Sequence, residues 1–423
     1  MTNDAAQTVA DRTSARGPAI AGMSEEGENL SPDNVTTEQH GAKAHSHGGG
    51  EGVADSSRAG RLTSYNLEDF AALTGREEDW RFTPLNRLAG LHTDELNGTP
   101  PQVQVDGGQD VRVETVGRDD ARIGVASIPD DRVSASAWAS FKEATIVTIP
   151  TERELDSEVT ITLTGAGKDP AASHTVIQAE KFSKAVVVLD HRGTAVLAEN
   201  VEMDIQDGAQ LTVVSIQDWN DDTVHASAQQ AKIGRDAKFK HVIVSLGGDL
   251  VRVTPSSRFA APGGDVEMYG LYFADAGQHF EQRLFVDHAV PNCKSRVSYK
   301  GALQGKDART VWVGDVLIRK EAEGTDTYEV NRNLVLSDGA RADSVPNLEI
   351  ETGLIEGAGH ASTTGRFDDE QLFYLQSRGI PEDVARRLVV RGFLNEIIQQ
   401  IRVPALEERM QEAVESELEA GDY

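Results

Sequence analysis

The middle of the chain, from about residue 146 to residue 365, alternates short apolar runs with glycine and aspartate. Runs of about four to eight residues rich in valine, isoleucine and leucine, bounded by turn residues, are typical of β-strands. The pattern predicts strands at 145–149, 159–163, 185–189, 211–216, 239–246 and 311–318. These runs predict a mainly β core over residues 146–365.

A turn followed by a strand recurs inside this core. Gly208, Asp236 and Asp265 each lie in such a turn and are 28 and 29 residues apart, and Asp307 and Gly339 occupy similar turns at looser spacing. A repeat of this length is typical of the stacked coils of a β-solenoid. An antiparallel sandwich usually has a turn about every 8–12 residues, which these strands also show if intermediate turns are counted. The spacing alone therefore favours the solenoid only modestly.

The end of the chain, residues 366–423, changes to a helical pattern. Gly379 is placed to end a first helix, Pro381 begins a second, and Pro404 begins a third. Four apolar residues recur every fourth position in the third helix: Leu406, Met410, Val414 and Leu418. Residues 404–423 hold seven acids and one base, so the opposite face is strongly negative. That face is either solvated, or the apolar stripe beside it docks a partner.

Residues 1–60 contain no phenylalanine, tyrosine or tryptophan, and we expect them to form a disordered tail. The tail's His40, His45 and His47 are expected to be solvated rather than to form a specific site. Residues 61–145 are predicted to form a small N-terminal domain of mixed, partly helical structure. Within it, the apolar spacing of 65–73 predicts a helix that ends at Gly75, and Trp80 is a candidate core residue.

Composition excludes several classes of protein. The 423 residues include 41 Lys and Arg against 69 Asp and Glu, a formal net charge of −28. Such a chain is poorly suited to nucleic acid or to an anionic membrane surface, because both are bound by clustered basic residues. No apolar run approaches the length of a membrane span, and no secretory signal pattern is present. We therefore expect a soluble, cytoplasmic protein.

Common catalytic motifs are absent from the sequence. It has no phosphate-binding loop, no dinucleotide fingerprint, no Gly-x-Ser-x-Gly and no His-Glu-x-x-His. Its one cysteine, Cys293, excludes an intrachain disulfide and a four-cysteine metal site. His279, Asp287, His288 and Cys293 fall close together, and His360 stands apart in a glycine-rich segment. Imidazole and thiolate suit iron or zinc, but taken singly each of these residues is more often structural.

Many segments of the chain resemble the core of the SufB/SufD family of iron–sulfur assembly proteins. They cover about a hundred residues almost without a gap, and a weaker match lies at WRFTPL, residues 80–85. The main segments are GLYFAD at 270–275, QH at 278–279, VDH at 286–288, CKS at 293–295, YKGAL at 299–303, TD at 325–326, NRNL at 331–334, LSDGARAD at 336–343, PNLEI at 346–350, GHAST at 359–363, GRFDDEQLFYL at 365–375 and SRGI at 377–380. Residues 1–60 lie outside the resemblance.

Within the family, the chain is similar to the SufD branch. SufB-type sequences carry a cysteine in the segment that matches 337–346, and a glutamate directly after the histidine that matches His360. Here the first segment contains Ala340, Ala342 and Ser344, and Ala361 follows His360. The scaffold cysteine of SufB is therefore missing from this chain.

The resemblance implies a fold, partners and a site. The fold is a right-handed parallel β-helix with N-terminal and C-terminal α-helical regions. The partners are a SufB-like protein, bound through the β-helix, and a SufC-like ATPase, docked by the C-terminal helices and responsible for ATP hydrolysis. His360 is the candidate metal ligand, and it would face a thiolate of the SufB-like partner. No cofactor is expected on the chain alone, but iron or an iron–sulfur cluster would pass transiently through that interface.

Two other functions are compatible with a β-helix. One is an enzyme acting on acidic polysaccharides, which the missing secretion signal, the few aromatic residues and the negative charge all disfavour. The other is a purely structural dimerisation subunit in which His360 is inert. The residues leave open a homodimer, a supply of iron by this chain, a flavin shared with the partner and the role of the tail.

Overall fold

A computed structural model describes residues 57–93, 95–366 and 369–420. Most of the predicted tail, including its three histidines, lies outside these residues. The described chain begins just before the predicted boundary at residue 61. There Arg58 already forms ion pairs with Asp79 and Asp315, at 2.7 and 3.0 Å.

The core of the described chain is a parallel β-helix of about eight turns. Successive strands alternate between two sheets of nine strands each. The first sheet contains β1 (Gln102–Asp106), β4 (Val159–Thr164), β6 (Lys184–Gly193), β8 (Gln210–Trp219), β10 (Lys238–Ser245), β12 (Asp265–Ala274), β14 (Lys294–Leu303), β16 (Asp326–Val335) and β18 (Gly357–Arg366), in that order. The second sheet contains β2 (Arg112–Gly117), β3 (Glu143–Ile149), β5 (Gly167–Ala179), β7 (Ala195–Ile205), β9 (Val224–Ile233), β11 (Leu250–Phe259), β13 (His279–His288), β15 (Arg309–Ile318) and β17 (Arg341–Ile350), in that order. The predicted mainly β fold with a parallel β-helix core is confirmed.

The turn repeat seen in the sequence corresponds to one coil of this helix. In the first sheet Lys238 pairs with Gln210 on one side and with Asp265 on the other, so one coil advances the chain by nearly the predicted period. Gly208 and Asp236, in the preceding turns, have φ angles of +69° and +52°. Glycine and aspartate tolerate this left-handed conformation better than most residues. The repeat is therefore a repeat of turn geometry.

Side chains alternate between the interior of the β-helix and its outer faces, as the period of two in a strand requires. The interior holds a continuous apolar core, for example Val187, Val213 and Phe239 from neighbouring strands of the first sheet. On the same strands Val188, Val214 and Val242, which are in register with one another, point outward and are buried as well. Both faces of these strands are thus covered, which explains their uninterrupted apolar runs.

The N-terminal region covers the outer face of the second sheet. Its helix α1 (Arg132–Ser140) is capped by Asp131, and Trp80 and Leu91 pack against Val196 and Ala198 of β7. Strands β1 and β2 extend the two sheets and pair antiparallel to β4 and β3. They are the first strands of the sheet ladders, and the coils follow them.

The predicted helix over 65–73 is wrong. The segment contains only a short 3₁₀ helix, Leu67–Asp69. The side chain of Ser64 accepts a hydrogen bond from the backbone N–H of Asn66, and the side chain of Asn66 accepts one from Glu68. Such local bonds satisfy the backbone without an α-helix, and of the apolar residues in this segment only Phe70 is buried.

Three C-terminal helices follow the β-helix: α2 (Asp369–Ser377), α3 (Glu382–Ile398) and α4 (Pro404–Ala420). The apolar stripe of α4 is buried with α3 and the outer face of the first sheet: Met410, Val414 and Leu418 belong to one core with Val214 and Val244. The suggestion that this stripe docks a partner is therefore wrong, because the chain's own strands cover it. Within the described residues no helix has the length and apolar character needed to cross a membrane.

Candidate functional site

His360 lies on β18, the last strand of the first sheet. β18 pairs with β16 on one side only, and His360 stands in register with Glu329. The side chain of His360 is 42% exposed, whereas Glu329 is fully buried beside it. The strand around His360 consists of small residues, so the imidazole is its one large side chain before Arg366. The fold therefore presents this histidine at an open strand edge.

Glu329 is an unusual neighbour for a candidate metal ligand. Its Oε1 lies 3.8 Å from Nδ1 of His360, and neither carboxylate oxygen has a hydrogen-bond partner among the described residues. Gly314 of β15 leaves room for the carboxyl group, since a Cβ there would come within 2.4 Å of Oε2. Burial, together with the negative charge of Asp315, raises the pKa of Glu329 to about 8. At neutral pH this carboxyl group is therefore mostly protonated.

His360 and Glu329 together offer two ligands for a metal ion. An imidazole nitrogen and a carboxylate oxygen are both good ligands for iron. A metal ion bound there would displace the proton of Glu329, because a coordinating carboxyl group must be ionised. His360 is exposed enough to meet a group on another chain, while Glu329 supports it from the interior.

Sequence reasoning missed Glu329, and the reason is its separation from His360 along the chain. The two residues are neighbours only because β16 and β18 pair in register. A weak signal exists in the alternation of polar residues along β16, where Thr327, Glu329 and Asn331 all face inward and are buried. That signal becomes interpretable only once the coil register is known.

A hydrogen-bonded network lies beside this site inside the β-helix. Tyr272 donates its phenolic hydrogen to Oδ1 of Asn333 at 2.7 Å, and Nδ2 of Asn333 donates to Thr364 of β18 at 3.3 Å. Ser344 of β17 donates to Oδ1 of Asn331 at 2.6 Å. The interior at this end is thus polar and links the last strands of both sheets.

The other candidate residues are not brought to His360 by any contact among the described residues. His279 is buried beside Glu281, with 3.4 Å between Nε2 and Oε2. Nε2 of His288 lies 2.9 Å from Oγ of Ser295, and burial lowers the pKa of that imidazole to about 3. These contacts give both histidines structural partners of their own.

Cys293 is also poorly suited to bind a metal ion. The residue is 1% exposed, and its Sγ lies 3.5 Å from the carbonyl oxygen of Pro291. Burial raises the pKa of the thiol, which disfavours the thiolate needed to bind iron. The one cysteine of the chain therefore behaves as a small core residue.

Comparison with known proteins places the chain in a family. The family model described as SUF system FeS cluster assembly, SufBD core domain, matches residues 161–393. The chain belongs to the SufB/SufD family. The matched segment of this SufB/SufD member runs from β4 into α3 and contains both Glu329 and His360. The resemblance on which the sequence argument depended is confirmed.

Curated relatives agree with this assignment. An iron–sulfur cluster assembly SufBD family protein of Mycobacterium bovis is 56% identical over 377 residues, which is 87% of this chain and 95% of that protein. One from Mycobacterium leprae is 56% identical over 369 residues, 85% of this chain and 94% of the relative. A second SufBD family protein of Mycobacterium leprae is 26% identical over 201 residues, 48% of this chain and 23% of that protein. One organism thus holds two SufB/SufD members with very different similarity to this chain.

Proposed function

We propose that the chain is a SufD-like subunit of an iron–sulfur assembly complex and that it pairs with a SufB-like protein at the open end of its β-helix. The observation that carries the proposal is His360, exposed on an edge strand and supported by the buried carboxyl group of Glu329. Iron or a nascent cluster would be the cargo at this interface. The chain itself would act as an assembly subunit and would not hydrolyse ATP.

The SufD-like assignment depends on missing thiols. The segment in which SufB-type sequences carry their cysteine runs from a turn into β17 here, with Ala342 and Ser344 at inward-facing positions near the polar network. Cys293 is buried, so this chain offers no accessible thiolate of its own. A cluster at His360 would need thiolates from a partner, and a neutral imidazole would complete their coordination.

The last strands of both sheets support pairing at this end. Among the described residues no strand pairs with the outer edge of β17 or of β18, and neither strand contains a buried residue, unlike the strands of the inner coils. A row of unpaired backbone groups readily accepts another strand. The presence of two family members in Mycobacterium leprae favours a heteromer over a homodimer as the arrangement.

The C-terminal helices would dock a SufC-like ATPase. Since the stripe of α4 is covered, the exposed apolar side chains of the other two helices are the better candidates: Phe373 and Tyr374 of α2 are 72% and 56% exposed, and Leu388 of α3 is 46% exposed. Exposed large apolar residues often mark protein contacts. The absence of a phosphate-binding loop in this chain agrees with ATP hydrolysis by a partner.

The test uses the complex of this chain with a SufB-like and a SufC-like protein. With His360→Ala we expect anaerobic reconstitution with ferrous iron and sulfide to give several-fold less cluster, measured by visible absorption and acid-labile sulfide. Size-exclusion chromatography should show the same subunit composition. The matched control is Thr363→Ala on the same strand, which should retain cluster formation. Unimpaired cluster formation by the His360 variant would leave only a structural dimerisation role, and loss of the complex would make His360 an interface residue.

A further inference from the structure

A second group of metal-ligating side chains lies inside the β-helix, away from His360. Where β6, β7, β8 and β9 meet, the interior changes from apolar to polar. The buried residues that form this cluster are His191, Glu199, Gln217, His225 and Ser227. Each comes from an inward-facing position of its strand, and none is used by the site at His360.

The two histidines share one carboxylate. Nε2 of His191 lies 3.3 and 3.1 Å from the two oxygens of Glu199, and Nε2 of His225 lies 3.4 Å from Oε2. Two ligand atoms bound to one metal ion at about 2.1 Å are themselves about 3.0–3.4 Å apart. The ligand atoms of all three residues lie within 4.8 Å of one another, so small ring movements would let one ion contact them all.

Hydrogen-bond partners at the far side of each ring hold both imidazoles in place. Nδ1 of His191 lies 3.0 Å from the carbonyl oxygen of Ile216, which can only accept, so Nδ1 donates. Nδ1 of His225 lies 2.8 Å from Oε1 of Gln217, and the indole nitrogen of Trp219 lies 3.2 Å from the same Nδ1. In both rings Nε2 is the nitrogen that faces Glu199. A metal ion bound there would take both imidazoles in their neutral form, with the lone pair on Nε2.

The carboxylate is oriented as well. The hydroxyl group of Ser227 donates to Oε2 of Glu199 at 2.7 Å. Nε2 of His225 is fully buried and has no hydrogen-bond partner. Nε2 of His191 lies within hydrogen-bond distance of the same carboxylate, and a bound cation would take the place of the proton between them. Histidines that bind metals typically donate their other N–H to a carbonyl or carboxyl oxygen, and both rings here have that arrangement.

We propose that His191, Glu199 and His225 form a divalent transition-metal site inside the β-helix. The donor set of two imidazoles and one carboxylate, without a thiolate, suits Fe(II) and Zn(II). The site needs no residue from a partner chain, so it is independent of the function proposed for His360. Its ion would be resident, because the ligands are closed off from solvent.

The test measures metal in the full chain. The three tail histidines, His40, His45 and His47, are changed to alanine so that they cannot contribute. The protein is purified anaerobically from cells grown with added iron or added zinc, and its metal content is measured by mass spectrometry. We expect close to one ion per chain, and the two growth conditions separate Fe(II) from Zn(II). Glu199→Gln and His225→Gln should each reduce the amount of bound metal per chain at least five-fold.

The matched control is His241→Gln, a buried interior histidine whose Nε2 lies 2.9 Å from Oε1 of Gln229, outside the three ligands. It should keep the metal. Refolding in the presence of Co(II) gives a second measurement, since ligand-field absorption in the visible range should appear with the parent chain and not with the Glu199 variant. Circular dichroism checks that each variant is folded. No bound metal in the parent chain under either condition, or equal loss in the control, would leave only a buried ion pair and overturn the proposal.

Discussion

Glycine and tyrosine form reciprocal pairs in the interior of the β-helix. On the neighbouring strands β12 and β14, Gly270 is in register with Tyr299, and Tyr272 is in register with Gly301. A Cβ on Gly270 would lie 2.0 Å from the ring of Tyr299, and one on Gly301 would lie 1.9 Å from the ring of Tyr272. A larger residue could not replace either glycine without a clash, because the ring of the opposite tyrosine fills the space that its side chain would need.

Gly270→Ala should therefore destabilise the chain by about 1–3 kcal/mol, the usual cost of overfilling a packed core. The free energy of unfolding can be measured by chemical denaturation. Gly357→Ala is the matched control, because a Cβ at that position meets nothing within 4 Å. Equal stability of the two variants would show that the tyrosine rings can move aside.

At the scale of single strands, the sequence predicted the apolar half of the core and missed the polar half. β8 and β10 were recognisable because valine and isoleucine fill both of their faces. β9 is just as buried, yet between Val224 and Ile233 it holds polar and small residues, a composition that does not signal a strand. Hydrogen bonds inside the β-helix replace apolar contacts there, and no local pattern reveals them. His360 was found through family resemblance, whereas Glu329 required the register of the coils.

Helix α4 binds the β-helix through both charged and apolar contacts. Arg409 contacts Asp190 at 2.9 Å and Asp218 at 2.7 Å, and Gln304 donates to the backbone carbonyl oxygen of Glu417. The side chain of Glu417 lies in an environment that disfavours its ionised form. Burial, with the nearby charges of Asp275, Asp221 and Asp218, raises the pKa of Glu417 to about 7.

This raised pKa predicts a pH effect with a definite sign. Between the ordinary carboxyl pKa of 4.5 and about 7, the folded chain holds a proton on Glu417 that the unfolded chain has released, so stability falls as pH rises through that window. Glu417→Gln should remove this loss. Relative to the parent chain it should gain on the order of 1 kcal/mol between pH 5 and pH 8, allowing for solvent screening. Denaturation at the two pH values measures the gain, and the exposed Glu408→Gln should show none.

Helix α2 allows a test of ATPase docking. Changing Phe373 and Tyr374 together to serine should reduce the amount of SufC-like protein that co-purifies by at least ten-fold, because both side chains are exposed and apolar. The unfolding temperature should not fall, since neither contributes to the core. Phe182→Ser, at an exposed turn of the β-helix, is the control and should keep the ATPase. Undiminished co-purification would place the docking surface elsewhere.

At the scale of the whole described chain, the two ends of the β-helix differ. Strands β1 and β2 lie antiparallel at one end, with five and six residues, whereas β17 and β18 end the ladders at the other with ten residues each. The outer faces between the ends are covered by the N-terminal region and by α3 and α4. Within the part of the chain that the structure describes, the edges of β17 and β18 are therefore the longest strand edges at either end of the β-helix.

Hydrogen exchange should report this difference. In the isolated chain, amides of β17 and β18 should exchange faster than those of β8 to β13, because the inner strands are paired on both sides. Addition of a SufB-like partner should slow exchange in β17 and β18 and leave β1 and β2 unchanged. Protection at β1 and β2 instead would place the interface at the opposite end.

The unequal ends also limit the size of any assembly. Growth into a fibre would require the ten-residue edge of one chain to join the five- or six-residue edge of the next, and the lengths of those strands do not match. Joining two long edges uses up both of them at once. Under the proposed pairing, a protein built from stacked coils, a geometry that in principle can be extended without end, would therefore join one other β-helix and stop there.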